Sequence, residues 1–202
     1  TGAGCFVDDL RPTDLLHAAF LRSHLAHARI VSIHTEEAAN ADGVALVATA
    51  QDFEALGPVP ADPIDEDTRV PERRPLAAGR VRHVGDVVAM VVADSQEHAR
   101  DALERIELDL EPLPVVVDPE AALAEGAPLL YPEFGTNLCF RQEVQTGEVE
   151  AAFKQADLVI TQRLLNQRVL PSPLEGRAIL ASWNGKRLTL EIPTQSPHLI
   201  RT

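Results

Sequence analysis

The run Val87–Ala93 constrains this chain more than any other stretch. It is Val-Val-Ala-Met-Val-Val-Ala, uninterrupted, of strand length and rich in β-branched side chains. A strand reads this way when both faces are covered, because neither face then shows a polar side chain to water. Arg82-His83-Val84-Gly85-Asp86 leads into it, and Asp94-Ser95-Gln96-Glu97 follows without a break. Asp94 with Glu97 three places on predicts a helix N-cap and a capping box. Ala99, Ala102, Leu103 and Ile106 recur at helical spacing, so one stripe of that helix faces a core. Ile106, Leu108 and Leu110 make the second apolar stretch over residues 106–110, closed by Glu111-Pro112-Leu113-Pro114. Strand, helix, strand is the unit around which the rest is arranged.

With 202 residues the chain holds one large domain or two modest ones. Its 45% hydrophobic content suffices for a core, while aromatics at 4% leave the packing to Val, Leu, Ile and Ala. A net charge of -13 opposes phosphate backbones and anionic membranes, so no nucleic-acid partner is expected. No stretch approaches the roughly 20 apolar residues of a membrane span, and no charged-then-apolar signal opens the sequence. The expectation is a cytoplasmic protein without membrane insertion. Cys5 and Cys139 fit neither a C-x-x-C nor a disulfide-rich pattern; two free thiols are expected, with a disulfide between them the alternative.

The other segments are read in turn. Residues 5–7, 15–22 and 28–33 suggest short strands, the last two joined by a tight connection. His17, His24, His27 and His34 lack the Cys/His pairing of structural zinc and the acidic partner of catalytic zinc, so hydrogen-bonded or solvated histidines are expected and no metal ligands. Asp8 and Asp9, as strand neighbours, point to opposite faces and read as a turn. Thr35 caps a short helix to Asn40, Gly43 releases the strand Val44–Thr49, and 51–56 is another helical turn. Residues 57–75 hold five prolines, acidic Asp62, Asp65, Glu66 and Asp67, and basic Arg69, Arg73 and Arg74. This predicts a long surface loop, the segment best suited to disorder, whose acidic cluster is a solvated face before it is a cation site. Residues 111–135 are punctuated by proline and glycine, with Asp118 capping a short helix over 119–124 that Gly126 ends. Beyond them, 148–155 reads as a helix and 157–165 and 178–183 as strands. Asn184-Gly185 predicts a hairpin with positive φ at both turn positions.

Chemistry-bearing motifs are few. There is no P-loop; Gly2-Ala3-Gly4 precedes a strand and is not a dinucleotide fingerprint. No Gly-x-Ser-x-Gly elbow occurs. Glu175 and Arg177, beyond Pro171-Ser172-Pro173, form an acid/base pair or, on base rates for paired charges, a structural ion pair. Gln195 is an amide at a strand end, able to donate to a metal-oxo group or to satisfy loop backbone.

Longer stretches carry a resemblance. Arg82-x-x-Gly85-Asp86-x-Val88-Ala89-x-Val91-Val92-Ala93, then Asp101-Ala102-Leu103-Glu104, then Leu110-Glu111-Pro112-Leu113-Pro114-Val115-Val116-Val117-Asp118-Pro119 make one long block. Thr1-Gly2-Ala3-Gly4, His27-Ala28-Arg29-Ile30, Gly135-Thr136-Asn137-Leu138, Asn166-Gln167-Arg168, Leu174-Glu175-Gly176-Arg177-Ala178 and Thr194-Gln195-Ser196-Pro197-His198 extend it almost end to end. The whole resembles the large chain of the molybdenum hydroxylases, the family of xanthine dehydrogenase, aldehyde oxidoreductases and aerobic carbon monoxide dehydrogenase, and is most similar to the last branch. The sequence departs from that pattern in the Ser23-His24-Leu25-Ala26 segment and at Gly176, where relatives often carry proline.

The resemblance implies an α+β fold: a hammerhead-type mixed α/β domain over 1–125, a linker over 126–140, and the truncated start of a molybdopterin-binding domain over 141–202. It implies that Gln195 reaches the molybdenum centre and donates a hydrogen bond to one of its oxygen ligands. The cofactor implied is molybdopterin with molybdenum, in the cytosine dinucleotide form, with [2Fe-2S] and FAD on partner subunits. Those partners would be a small iron-sulfur subunit and a medium FAD subunit of a heterotrimer that dimerises. The glycine-rich pterin loop and the general-base glutamate are expected beyond Thr202, so no catalytic residue and no bound cofactor is expected on this stretch alone. An exposed apolar surface on the second part follows from the same expectation. The alternative from another class is a non-catalytic structural module that scaffolds or docks onto a partner.

Overall fold

A computed structural model describes residues 2–61 and 63–201. They separate into two compact units, one of residues 14–144 and one of residues 1–13 with 145–202. The first unit contains β1 (His17–Arg22), β2 (Ala28–His34), α1 (Glu36–Ala39), β3 (Val44–Thr49), β4 (Arg80–Val81), β5 (Val87–Ala93), α2 (Gln96–Leu103) and β6 (Glu107–Pro112). The second contains α3 (Val149–Gln155), β7 (Leu180–Trp183), β8 (Leu188–Glu191) and α4 (Pro197–Arg201).

The apolar run becomes β5, the middle strand of an antiparallel sheet ordered β1-β5-β3. Val88, Ala89, Val91 and Ala93 are fully buried, as a strand flanked on both edges and covered on its faces should be. The core is built from small side chains. Ala89, Val91, Ala38, Ala102 and Ile106 form one cluster, and Ala28, Val81 and Val88 a second. With few aromatics to fill space, β-branched and alanine residues set close approach between strand and helix; each buried valine contributes about 1.5–3 kcal/mol.

Three particulars of this unit were not given by the sequence-based reading, and the second of them corrects it. First, β1 and β2 do not pair with each other. β1 pairs β5, whereas β2 lies between β4 and β6 in a second sheet. The cause is the turn before β5: Ser23 N–H donates to Asp86 O and Gly85 N–H to Ser23 O, both at 2.8 Å. The backbone of the β1–β2 connection is thereby engaged by residues sixty positions away, and β2 starts on the other sheet. Second, α2 is capped one residue later than Asp94. Ser95, in extended conformation, accepts from His98 N–H at 3.1 Å, and Asp94 instead pairs with the His98 imidazole at 2.6 Å. Third, β5, α2 and β6 do not close one sheet, since β6 joins β2.

Gly43, at φ 73°, releases β3 as expected. A Cβ there would collide with His98 Nδ1 and Asp94 Oδ1, so glycine is required twice over. Residues 57–75 carry no helix or strand among those described, and are tied down by Val59 N–H to Arg73 O (2.6 Å) and Arg69 N–H to Cys139 O (2.9 Å). Asp62, from the acidic cluster, lies outside the described residues.

In the second unit the strand expected over residues 5–7 does not form, while the turn expected at Asp8 and Asp9 does, as the 3-10 turn Val7–Asp9; Asp9 Oδ2 accepts from Phe6 N–H and so closes it. The Asn184-Gly185 hairpin forms, with Trp183 opposite Leu188. Its turn is not the one expected: Gly185 has φ 89°, but Asn184 has no positive φ. Asn184 Oδ1 instead accepts from Lys186 and Arg187 N–H, making a four-residue loop of the Asx kind. Residues 157–165 form no strand, because among the described residues no strand pairs with them. Leu165, Leu170 and Leu174 are 85%, 86% and 92% exposed.

Candidate functional site

Gln195 stands in the second unit between the end of β8 and the start of α4. Strand propensity in Leu188-Thr189-Leu190 ends at Pro193, which has no N–H for a ladder. Pro197 then opens the short helix, where a missing N–H is tolerated. Between them, Thr194 Oγ1 accepts from Ser196 N–H at 3.0 Å, a hydroxyl turn closed around Gln195. The Gln195 side chain is exposed and makes no hydrogen bond among the described residues. A carboxamide held at a fixed turn with both N–H groups uncommitted fits the part of a donor to an oxygen ligand of a metal centre. It is one group, not a constellation.

The Glu175–Arg177 ion pair does not form. Glu175 is half-buried and its Oε1 accepts from Val7 N–H at 3.1 Å, at the start of the Val7–Asp9 turn, while Arg177 is exposed. The carboxylate thus holds backbone in place. Among the histidines, His27 is buried and its Nδ1–H donates to Pro114 O at 2.8 Å. A carbonyl only accepts, so this contact fixes the tautomer. Cys5 and Cys139 are free and exposed. Among the described residues no three His, Cys, Asp or Glu side chains gather in metal-binding geometry, and no helix is long and apolar enough to cross a membrane.

Sequence reasoning did not assign a structural task to Asn137. Its Oδ1 accepts from Leu130 N–H at 3.1 Å, and its Nδ2 donates to Ala122 O and Pro128 O at 3.0 and 2.9 Å. One amide staples three backbone segments of the punctuated region.

The hairpin-and-helix unit carrying Gln195, set after a mixed α/β unit, defines a class. The family model described as the a/b hammerhead domain of aldehyde oxidase and xanthine dehydrogenase matches residues 1–114, and the molybdopterin cofactor-binding domain model matches residues 130–202. The chain belongs to the aldehyde oxidase and xanthine dehydrogenase family, the molybdenum hydroxylases, as a large-subunit sequence. It is 36% identical over 204 residues to the nicotine 6-hydroxylase large subunit of Paenarthrobacter nicotinovorans, covering 100% of this chain and 25% of that protein. It is 37% identical over 216 residues to the carbon monoxide dehydrogenase large chain of Afipia carboxidovorans, covering 100% of this chain and 26% of that one. Among solved structures, quinoline 2-oxidoreductase from Pseudomonas putida 86 superposes with a TM-score of 0.91 at 34% identity, over 99% of this chain and 26% of that one. The Cu,Mo-CO dehydrogenase superposes with a TM-score of 0.87 at 36% identity, again over 99% and 26%. The chain therefore spans about a quarter of the length of the relatives it matches.

Proposed function

We propose that this chain is the N-terminal portion of the molybdenum-binding catalytic subunit of an oxidoreductase similar to carbon monoxide dehydrogenase. The domain division proposed with it is 1–125, a linker over 126–140, and 141–202. The observation that carries the reading is the match to a molybdopterin cofactor-binding domain over the residues that present Gln195 on its turn. When bound, the molybdenum cofactor, in its cytosine dinucleotide form, would supply oxidative hydroxylation with water-derived oxygen and pass electrons to [2Fe-2S] and FAD on partner subunits in the cytoplasm.

The contribution of this chain's own residues is narrower. The Thr194–Ser196 turn fixes the backbone at Gln195, whose carboxamide would donate a hydrogen bond to an oxygen ligand of the bound centre. Gln195 is the one cofactor contact proposed on this stretch; the general base and the pterin loop are proposed to lie on sequence outside it. Alone, the 202 residues would be inactive.

Molybdenum and cytidine-nucleotide analysis of the full-length native protein, beside turnover of carbon monoxide, an aldehyde and an N-heterocycle, tests the reading. Molybdenum in the purified enzyme and oxidation of one of the three are the expected results. Gln195→Ala should lower kcat about 10²-fold with metal content retained. A full-length product free of molybdenum would overturn the assignment, and an unchanged kcat would remove Gln195 from it.

A further inference from the structure

Residues 69–82 hold five arginines, Arg69, Arg73, Arg74, Arg80 and Arg82, against a single carboxylate, Glu72, in a chain of net charge -13. The fold gathers four of them, with His83, around one cleft of the first unit, about 620 Å³ in volume. That is the size of a small-molecule site.

The charges in the cleft are not all neutralised. Arg74 is paired with Glu72 at 2.7 Å. Asp86 accepts from Arg82 N–H at 3.0 Å and lies 3.9 Å from His83 Nδ1, so that carboxylate is committed to its own turn. Arg80 faces Arg29 in the β2–β4 register, and Arg29 is engaged by Glu111. Arg73 and Arg80 form no ion pair among the described residues. Glu133, also on the wall, is exposed and forms no ion pair among them either. Arg82 is positioned by two contacts that leave its terminal nitrogens unengaged. Its guanidinium stands 4.4 Å from the Tyr131 ring centroid, and its Nε–H donates to Leu130 O at 3.1 Å. A guanidinium held over an aromatic ring, with its inner nitrogen committed to a carbonyl, leaves its outer nitrogens as a fork for an oxyanion.

We propose that this cleft binds a small oxyanion-bearing molecule, a phosphate or a carboxylate, with Arg82 and Arg80 as its ligands and Arg73 at the rim. All the residues that line the cleft belong to the first unit, and the proposal does not depend on the molybdenum reading. A merely structural arginine cluster would be paired off by carboxylates, which are plentiful in this sequence. Here Glu72 serves Arg74, Asp86 serves the 82–86 turn, and the exposed Glu133 on the wall pairs with none of the arginines among the described residues.

Isothermal titration of the 202-residue chain with sodium pyrophosphate and with sodium citrate, each at ionic strength matched by sodium chloride, tests this. Saturable binding of at least one probe is expected. Arg82→Gln and Arg80→Gln should each weaken it about tenfold, the loss of one charge-assisted hydrogen bond. Arg73→Gln, at an exposed position, should weaken it less and keeps the test valid if a half-buried variant fails to fold. Arg187→Gln, on the hairpin loop of the second unit, should leave it unchanged. Preference for pyrophosphate marks a phosphate ligand and preference for citrate a carboxylate one. No saturable heat with either probe, or equal weakening by Arg187→Gln, overturns the proposal.

Discussion

At the scale of single residues, the contact between α2 and the β3 entrance is an electrostatic clasp. Asp94 Oδ1 lies 2.6 Å from His98 Nδ1 on the following helical turn, and both side chains are about half exposed. The Asp94 hydrogen bond and its charge raise the His98 pKa above 6.5, with smaller support from Asp42 and Asp101. Folding thus favours the protonated imidazole. Its contribution is complete below the unfolded value of 6.5 and is lost as pH rises through the raised folded value. His98→Gln should therefore cost stability at acidic pH and little at alkaline pH, read as urea midpoints of the two proteins across that range. A difference independent of pH would show that the imidazole acts by packing alone. Residue roles of this kind were only partly legible. The spacing of Asp94 and Glu97 announced a helix start correctly to within one residue, but Ser95 took the cap because its hydroxyl reached His98 N–H. Nothing in a string of letters revealed that Asn137 bonds three segments, since its partners are backbone groups without sequence identity.

At the scale of elements, β5 was readable because burial on both faces leaves a compositional trace, and α2 because its stripe repeats at helical period. Strand partners were not. Proximity in sequence favours a β1–β2 hairpin, and only the grip of the 82–86 turn on Ser23 sends β2 to the other sheet. Residues 157–165 have strand composition, yet a strand without a neighbour has no ladder, so propensity alone did not form one. The turn at Gln195 was legible as a strand end and the hydroxyl bond around it was not. Within β5, Val91 lies opposite both Ala19 and Val47 and packs in the cluster with Ala38, Ala102 and Ile106. Val91→Ala should destabilise the protein by about 2 kcal/mol in urea unfolding followed by circular dichroism. Val117→Ala, at a position 87% exposed, should change it by less than about 0.5 kcal/mol. Equal effects would mean that β5 does not anchor the core.

At the scale of the whole molecule, apolar exposure is unevenly distributed. Ile160, Leu164, Leu165, Leu170 and Leu174, all in the second unit, are each more than 75% exposed. Surfaces of this kind associate unless covered. The 202-residue chain should self-associate with rising concentration in analytical ultracentrifugation and enhance the fluorescence of an anilinonaphthalene dye. A monodisperse monomer that leaves the dye dark would count against an uncovered apolar face.

The β1–β5 pairing, His17 with Ala93 and Arg22 with Val87, has a consequence for biosynthesis. β1 leaves the ribosome more than sixty residues ahead of the strand that must sit beside it. At ordinary translation speeds that is a wait of about 3–12 s. Through that interval the nascent chain carries a strand with both edges open, and the first sheet closes only as Ala93 emerges, in one late step.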